Sequence, residues 1–404
     1  MESFFKKKST DFCESCATFS MQESCILCSN DQTPFEMASI KYSSEKINYS
    51  DDLGFYTDLF SGYSEKYKKK STAGGLATLI LEELLNKIEV DAVIAPVYSI
   101  KENMFKYELI KDASLLTSQQ RSVYTKLDVS RALKLVESFD GTVAITGIPA
   151  TVQYIEALKQ RDTLYRDKIK FTIGLVSGGY KTNLYETYLS EKAGAPDERI
   201  WDYVSFRDKK LNYPYNGQNY FFVKKRMGNE YSCRSGDIKY NWQYGVLKEF
   251  SSDFCSDTFN VVADVTVMDA WLPKFETSDG RTLVVSRSTK ISNILQNSND
   301  ANIEEISSDE IIASQMGGLR HKTRGLSARI SLYKKFGNDL PARLLKLPII
   351  HKKIDLLEQF LRLYVSYLSR VKYRKYGDAL RLENSMKRYS FPLKVVNRIK
   401  HYLD

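Results

Sequence analysis

Four cysteines near the N-terminus are the residues whose type and spacing most clearly suggest chemistry. In a large protein without secretory features, paired C-x2-C units bind a metal or carry out redox chemistry more often than they form disulfides. Four thiolates can hold Zn²⁺ tetrahedrally or a [4Fe–4S] cluster, and the spacing alone favours neither. Cys233 and Cys255 are further candidate ligands, although burial in a core is the ordinary role of such residues. The four cysteines form the pattern C-x2-C-x8-C-x2-C and are Cys13, Cys16, Cys25 and Cys28.

A glycine turn before an amphipathic segment is a candidate phosphate site. Residues 76–87 have leucines at helical spacing, so the turn enters a predicted helix. A helix N-terminus offers unpaired N–H groups and a partial positive charge, and glycine lets an anion approach closely. Three lysines at 68–70 would add positive charge, whereas the plain alternative is a helix cap without a ligand. The turn consists of Ser71, Thr72, Ala73, Gly74 and Gly75.

Two more turns follow apolar runs that read as buried strands. Gly147 and Pro149 follow TVAITG, and Gly178 and Gly179 follow KFTIGLVS. Ligands of α/β sheets bind in the crevice at the carboxyl ends of the strands. We therefore expect both turns to line one cleft, although each alone is also explained as a tight turn.

Three polar residues are candidates for a role in catalysis. Arg207, in the run FRDK, could bind an anionic substrate or a pyrophosphate through its forked guanidinium. Asp269 could orient a sugar hydroxyl or a flavin edge, and His321 could face the same cleft, although a structural role is commoner for each. No Ser-His-Asp order, Walker loop, H-E-x-x-H or D-x-D signature stands out, which argues against hydrolases, kinases and common metal-dependent glycosyltransferases.

The elements that must position these residues alternate between strand and helix up to about residue 200. This alternation predicts an α/β fold with a mostly parallel or mixed sheet and flanking helices. From about residue 204 to 286 the segments read as strands with little helix between them, which predicts antiparallel or mixed pairing. The last part is helical, and a stripe from Ile354 to Val371 is expected to pack on the body or, alternatively, to touch a membrane.

Composition divides the chain into three predicted parts. Residues 1–35 form a cysteine-rich metal module, 36–335 an α/β body and 336–404 a basic helical tail. Residues 341–404 carry 15 Lys and Arg against 5 Asp and Glu, whereas the whole chain has a net charge of only +9. The tail therefore suggests an anionic partner or a solvated face. With no apolar run of roughly 18 residues and no signal peptide, a cytoplasmic protein is expected, with peripheral membrane contact as an option.

A series of short motifs occurs in a fixed order between residues 70 and 325. The series resembles the beta subunits of coenzyme F420 hydrogenases and dehydrogenases, and the D-A-W version is similar to members linked to bacterial surface polysaccharides. The motifs are STAGGL at 71–76, SVYT at 122–125, TGIPA at 146–150, IGLVSGG at 173–179, FRDK at 206–209, ADVTVMDAW at 263–271 and VVSRS at 284–288.

This resemblance implies FAD, with its pyrophosphate at the 71–75 turn and with Tyr124 and the two later turns around it. It also favours a [4Fe–4S] cluster over Zn²⁺ at the N-terminal cysteines. The family typically has cysteines where this chain has Ala150, Ser177 and Ser252, so its full set of clusters is not expected here.

The resulting hypothesis is a flavin-dependent oxidoreductase. It would act on a sugar, nucleotide sugar or lipid-linked glycan in surface polysaccharide synthesis, with a donor protein or reduced cofactor supplying electrons. One alternative is a redox-inactive, zinc-containing relative that modifies polysaccharide as a transferase. Another is a docking partner of a membrane glycan enzyme. No nucleic-acid partner is expected, since no such module is visible.

Overall fold

A computed structural model describes residues 2–14, 25–43, 47–118, 122–197, 200–210, 212–240, 242, 244–276 and 280–403. Cys16, one of the four predicted metal ligands, lies outside these residues. The helices are α1 Glu2–Phe5, α2 Ile26–Ser29, α3 Pro34–Tyr42, α4 Leu76–Asn86, α5 Val129–Ser138, α6 Pro149–Arg161, α7 Thr163–Lys168, α8 Asn183–Lys192, α9 Thr289–Gln296, α10 Ser308–Lys322, α11 Arg324–Lys335, α12 Ala342–Leu345, α13 Lys353–Tyr376 and α14 Ala379–Leu403.

Thirteen strands are described, in three sheets. The largest sheet has the order β13-β3-β12-β11-β7-β6-β4-β5, a second has the order β10-β9-β8, and β1 pairs with β2. The strands are β1 Asn48–Ser50, β2 Gly54–Tyr56, β3 Asp58–Ser64, β4 Ala92–Ser99, β5 Met104–Ile110, β6 Val143–Gly147, β7 Ile169–Leu175, β8 Tyr203–Asp208, β9 Phe221–Arg226, β10 Asn229–Arg234, β11 Val265–Asp269, β12 Thr282–Ser286 and β13 Ala301–Glu305.

The centre of the large sheet is parallel, and its edges are antiparallel. The strands β11, β7, β6 and β4 pair in parallel, whereas β5, β12, β3 and β13 join in antiparallel fashion. The parallel strands are apolar β-branched runs because both of their faces are covered. Helices α4 and α9 pack on one face, and α5 and α6 pack on the other. These features confirm the predicted α/β class with a mixed sheet and flanking helices.

The strand β3 was not predicted from the sequence. Its sequence, DLFSGYS, has no clear apolar alternation, yet Ser61 and Ser64 are fully buried in it. Gly62 is required because a Cβ atom there would lie 2.3 Å from the carbonyl oxygen of Asn302 on β13. The segment from 204 to 234 forms the antiparallel sheet β10-β9-β8, as its strand-rich pattern indicated.

The two ends of the chain pack against each other. Phe4 and Phe12 share a buried aromatic cluster with Tyr333, Leu344 and Leu363 from the helical tail. The predicted apolar stripe of α13 is partly wrong, since Leu357 and Val371 are exposed. The buried face of α13 is instead largely polar and includes Asp355, Glu358, Gln359, Ser366 and Ser369. The proposed boundaries at residues 35 and 335 stay predictions.

Candidate active site and candidate metal centre

A cavity of about 890 Å³ lies at the carboxyl edge of the parallel strands. Strands β4, β6, β7 and β11 all contribute residues from their carboxyl-terminal parts to its wall, and α4 contributes its N-terminus. Because these ends meet at one edge, turns that are distant in sequence face the same space. Nine of the predicted site residues line the cavity: Ser71, Thr72, Gly75, Tyr124, Gly147, Gly178, Gly179, Arg207 and Asp269.

A lysine in the loop that follows β8 holds the turn before α4 in place. Lys209 Nζ donates hydrogen bonds to the carbonyl oxygens of Lys68 (2.7 Å) and Ala73 (2.5 Å). The N–H of Gly74 donates to Thr282 Oγ1 at 3.0 Å, and Gly75 is left-handed, with φ of 87°. Gly75, Ala77 and Thr78 consequently place the N-terminal turn of α4 in the cavity wall, where the first N–H groups of a helix have no partner within the helix.

Gly74 and Pro149 support the site without lining it. A Cβ atom on Gly74 would lie 2.5 Å from the carbonyl oxygen of Gly62, so only glycine allows this packing. Pro149 starts α6, where its missing N–H costs nothing. Lys68, one of the three lysines expected to add positive charge, pairs with Glu65 at 2.8 Å. The cationic side chains that line the cavity, among the described residues, are Arg207 and Lys239.

Arg207 and Asp269 form a bidentate ion pair in the cavity wall. Nη1 of Arg207 lies 2.7 Å from Oδ2 of Asp269, and Nη2 lies 3.1 Å from Oδ1. The Tyr215 hydroxyl donates to the same carboxylate at 3.0 Å. Although burial opposes the charge, the Asp269 carboxylate raises the pKa of Arg207 above its ordinary value. Arg207 was predicted to bind an anionic ligand, and the structure places it with a partner already in the protein.

Aromatic rings form much of the remaining wall, and of these the sequence singled out only Tyr124. Trp271 stacks on Tyr215 with ring centroids 5.7 Å apart at an angle of 13°. The guanidinium of Arg207 lies 5.2 Å from the Trp271 ring centroid and 5.2 Å from that of Tyr220. Trp242 lies edge-on to Tyr124 across 5.0 Å. The available signal was the D-A-W run, which put an aromatic residue two positions after Asp269.

Gly317 and Gly318 are another missed feature of the cavity. They lie within helix α10, and they line the cavity. No atom lies within 4 Å of a Cβ placed on Gly317, and only Thr258 Cγ2, at 3.9 Å, approaches one on Gly318. The signal that could have revealed them is the glycine pair itself, because glycine is unfavourable in a helix interior.

His321 does not line the cavity. It lies in a polar cluster, with Nε2 3.2 Å from Asp253 Oδ1 and Nδ1 3.4 Å from Arg329 Nη1. Lys248 Nζ lies 2.7 Å from the same Asp253 oxygen. Burial, and then the charges of Arg329 and Lys248, hold the pKa of His321 well below its usual value. The ring is therefore neutral near pH 7.

Three other charged residues of the same sequence region have structural roles. Asp264 accepts from the Thr172 N–H at 2.7 Å and pairs with Lys41 at 2.9 Å. Asp257 is fully buried and accepts from Gln153 and the Val261 N–H. Arg287 is buried and donates to backbone carbonyls, including that of Leu53 at 3.0 Å. Groups paired within the protein in this way hold loops together.

Three of the predicted cysteine ligands are brought together. The sulfur atoms of Cys13, Cys25 and Cys28 all lie within 4.8 Å of one another, and those of Cys13 and Cys25 are 3.9 Å apart. Cys233 is elsewhere, on β10, where its Sγ donates to the Leu189 carbonyl at 3.6 Å. Cys255 is buried and donates to the Asp257 carbonyl at 3.6 Å, and burial raises its pKa to about 11.

Two of the three positions where the family typically has cysteines, Ser177 and Ser252, lie in or beside the cavity wall. Ser177 lines the cavity directly. Ser252 Oγ accepts from the Tyr180 N–H at 2.8 Å and donates to Glu14, the neighbour of Cys13, at 2.9 Å. Since Tyr180 also lines the cavity, Ser252 links the cysteine cluster to the cavity wall.

Comparisons with known proteins agree with the fold and the order of the motifs. Residues 59–134 match the model of the N-terminal part of the coenzyme F420 hydrogenase/dehydrogenase beta subunit, and residues 140–310 match that of its C terminus. A chain of the F420-reducing [NiFe] hydrogenase complex from Methanosarcina barkeri superposes with a TM-score of 0.51 at 17% identity. The alignment covers 68% of this chain and 93% of that one, and it shows the fold alone. No curated protein matches significantly. The two matched parts span more than half of the sequence, and the chain therefore belongs to the coenzyme F420 hydrogenase/dehydrogenase beta-subunit family of redox proteins.

Proposed function

We propose that this protein is a flavin-dependent oxidoreductase whose FAD and substrate share the cavity at the sheet edge. The observation that carries the proposal is the N-terminus of α4, which Lys209 holds at the rim of a cavity lined by four strand ends. A helix N-terminus of this kind is suited to a pyrophosphate. The volume of about 890 Å³ falls within the range of cofactor and ligand pockets.

The glycines around the cavity support a large, flat ligand. Gly178, Gly217, Gly317 and Gly318 line the cavity, and a Cβ atom on any of them would meet little or nothing nearby. These positions present backbone to the cavity, which lets a planar ring approach closely. Trp242 and Tyr124 would add aromatic surface beside it. These residues support FAD as the proposed cofactor of the cavity.

The aromatic wall near Asp269 supports a sugar as the substrate class. Apolar ring faces pack against sugar C–H groups, and Trp271, which lines the cavity and is backed by Tyr215, offers such a ring. The Asp269 carboxylate has about four acceptor positions, of which Arg207 and Tyr215 occupy three. One remains for a substrate hydroxyl. A glycan or nucleotide sugar of surface polysaccharide synthesis is therefore the proposed substrate.

The protein's own part in such a reaction is to position, orient and exclude water. Bound flavin supplies the acceptor or donor of a hydride. Arg207 fixes the orientation of Asp269, and the carboxylate fixes the sugar relative to the strand ends. The N-terminus of α4 anchors the anionic part of the cofactor. Electrons would arrive from a donor protein or from a reduced cofactor.

An anionic membrane surface is the proposed further contact of the tail. None of the described helices is long and apolar enough to cross a membrane. In α14, Phe391, Val395, Ile399 and Tyr402 are exposed on a helix whose stretch from 384 to 402 contains no acidic residue. An exposed apolar row with basic neighbours is typical of helices that lie on membranes.

The direct test is purification of the full chain without oxygen, followed by a visible spectrum. We expect flavin absorbance at about one FAD per chain, identified by mass spectrometry after the protein is denatured. Bound flavin should then be reduced or reoxidised when candidate nucleotide sugars are added. A colourless protein that also fails to bind added FAD would contradict the proposal. It would favour the redox-inactive relative, either a transferase or a docking partner.

A further inference from the structure

The spacing of the three sulfur atoms distinguishes between the two metals that the cysteines could hold. In a tetrahedral Zn²⁺ site with Zn–S bonds of 2.3 Å, neighbouring sulfurs are about 3.8 Å apart. Cys13 and Cys25 have sulfurs 3.9 Å apart, and all three lie within 4.8 Å of one another. In an iron–sulfur cube each thiolate binds a different iron, so the thiolates are held further apart. The observed spacing leaves room for one ion between the sulfurs.

The local backbone has the form of a closed metal-binding turn. Cys25 precedes the single turn α2, and the Cys28 N–H donates to the Cys25 carbonyl at 2.9 Å. Cys13 is fully buried, Cys25 is 6% exposed and Cys28 is half-buried, so most of the ligand set is shielded from water. Structural zinc sites are closed in this way, whereas catalytic sites keep one position open to water.

A buried arginine indicates that these sulfurs carry negative charge. Arg343 Nη2 lies 3.4 Å from Cys13 Sγ, so the guanidinium is in direct contact with the cysteine cluster. Arg343 is only 9% exposed, and its Nε is buried without a hydrogen-bond partner among the described residues. A buried guanidinium is costly unless an anion compensates it. Metal-bound thiolates provide that anion, whereas neutral thiols do not.

We infer that Cys13, Cys25 and Cys28 hold one Zn²⁺ ion. The sequence spacing predicts Cys16, which lies outside the described residues, as the fourth ligand. Cys16 follows Cys13 at the same spacing that separates Cys28 from Cys25. Cys255 is the weaker candidate because its thiol donates to a backbone carbonyl. The ion fastens the N-terminal segment to α12, which carries Arg343. It carries no electrons, so reduction of the flavin would depend on a donor that reaches the cavity itself.

Metal analysis without oxygen tests the identity of the metal. The full chain is produced in parallel cultures supplemented with iron or with zinc, and both preparations are examined by mass spectrometry for metals and by electron paramagnetic resonance after reduction. We expect about one zinc per chain and only traces of iron in both cultures. About four irons per chain with the resonance of a reduced cluster would overturn the inference. Flavin content, measured on the same samples, reports on the proposed function separately.

Single substitutions test the ligand set. Cys16→Ser should lose stoichiometric zinc, whereas Cys255→Ser and the remote control Cys233→Ser should keep it. Retention of zinc in Cys16→Ser together with its loss in Cys255→Ser would overturn the assignment of Cys16. If Cys16→Ser does not fold, the wild-type protein can be used to test the site. Replacement of its zinc by Co²⁺ gives an absorption spectrum that reports tetrahedral thiolate ligands. A Co²⁺ spectrum without thiolate bands would contradict the site.

Discussion

At the scale of single residues, Gly317 and Gly318 show a conflict between local stability and the cavity. Each glycine in the interior of α10 costs roughly 1 kcal/mol of helix stability relative to alanine. The space around both is open, so packing within the protein does not require them. A ligand that lies against this helix explains their presence. The cavity that they line is the proposed flavin site.

Gly318→Ala is therefore expected to separate stability from binding. It should raise the free energy of unfolding of the flavin-free protein by about 0.5–1 kcal/mol, because alanine favours the helix and reduces the freedom of the unfolded chain. It should also weaken the binding of FAD, since the new methyl group occupies space in the cavity. Urea denaturation and a flavin titration measure the two effects. Ala313→Gly, at an exposed position of the same helix outside the cavity wall, is the control, with lower stability and unchanged binding. A more stable Gly318→Ala that binds FAD normally would count against the site.

His321 makes a different prediction, on pH. Its pKa is held well below the ordinary value, first by burial and then by Arg329 and Lys248, despite the hydrogen bond to Asp253. The unfolded chain therefore binds a proton below about pH 6.5 that the folded chain does not. The folded protein should lose up to about 1.4 kcal/mol of stability per pH unit as the pH falls through this window.

The variant His321→Asn should remove this part of the pH dependence. Asp253 titrates well below the window because its pKa is lowered, and the buried carboxyl groups of Glu14 and Asp257 contribute equally to both proteins. Free energies of unfolding between pH 7.5 and 5 are compared for the wild type, His321→Asn and the exposed control His401→Asn. Equal slopes for all three would show that His321 is not kept neutral by its surroundings.

At the scale of elements, a side chain from a distant part of the chain stabilises the junction between β3 and α4. Lys209 closes the turn by bonding to the carbonyl oxygens of Lys68 and Ala73, so a single side chain sets the position of the helix N-terminus. Its neighbour Lys210 points to Glu230 and Ser232 on β10 instead. The adjacent lysines thus differ in what they hold.

Lys209→Met should weaken FAD binding by at least tenfold. The substitution removes two charge-assisted hydrogen bonds that hold the turn, and the loss of about 1.4 kcal/mol corresponds to a tenfold change in affinity. Lys210→Met should bind FAD as the wild type does, because it lies on the other side of the loop. Affinity is measured by fluorescence titration, and far-ultraviolet circular dichroism checks that both variants fold. Equal affinity of the two variants would remove Lys209 from the account of the site.

The sequence predicted this edge of the sheet better than it predicted the rest of the site. Apolar strands followed by glycine turns are a strong local pattern, and parallel strands bring their carboxyl ends together whatever lies between them. Gly147, Gly178 and Gly179 were therefore correctly expected to line one cleft, and their role in binding a cofactor stays a prediction. His321 was not placed correctly, because a residue at the end of α10 faces the cavity or the core according to the rotation of the helix. The pair Gly317 and Gly318 in the same helix does not show, from sequence alone, which side of the helix faces the cavity.

Strand β3 was not predicted, and the buried face of the predicted helix α13 was partly wrong, because the burial in both elements is largely polar. Strand β3 buries Ser61 and Ser64 among its neighbours, and no hydrophobic alternation reveals that. Helix α13 buries the carboxylates of Asp355 and Glu358. Lys400 from α14 forms ion pairs with both, and its Nζ lies 2.6 Å from Asp355 Oδ1. A charged residue is buried when a residue of opposite charge from a distant part of the chain pairs with it. The sequence pattern of one helix does not reveal that distant partner.

At the scale of the whole molecule, the tail leaves one face of α14 without a described partner surface. Leu382, Met386 and Leu393 point inward and are fully buried, while the opposite face is exposed. That face combines an apolar row with positive charge, and the row consists of Phe391, Val395, Ile399 and Tyr402. The exposed basic residues of the same helix are Arg381, Lys387, Arg388, Lys394 and Arg398.

Reversal of four of these charges is expected to abolish binding to anionic vesicles. Each Lys or Arg near such a surface contributes about 1 kcal/mol, so Lys387, Arg388, Lys394 and Arg398 replaced together by Glu should cost at least about 4 kcal/mol, roughly a thousandfold in affinity. Cosedimentation with vesicles of phosphatidylglycerol and phosphatidylcholine measures the effect, and raised salt should weaken wild-type binding.

A second quadruple variant shows whether the position of the charge matters or only its total. Lys101, Lys126, Lys134 and Lys170 are exposed on the α/β body, and their replacement by Glu changes the net charge by the same amount. If α14 is the contact, this variant should bind vesicles nearly as the wild type does, because its losses lie away from the apolar row. Equal loss in both variants would mean that net charge alone attracts the protein. Phe391→Ser would then be expected to have no effect, whereas a docked helix should lose affinity when that exposed ring is removed.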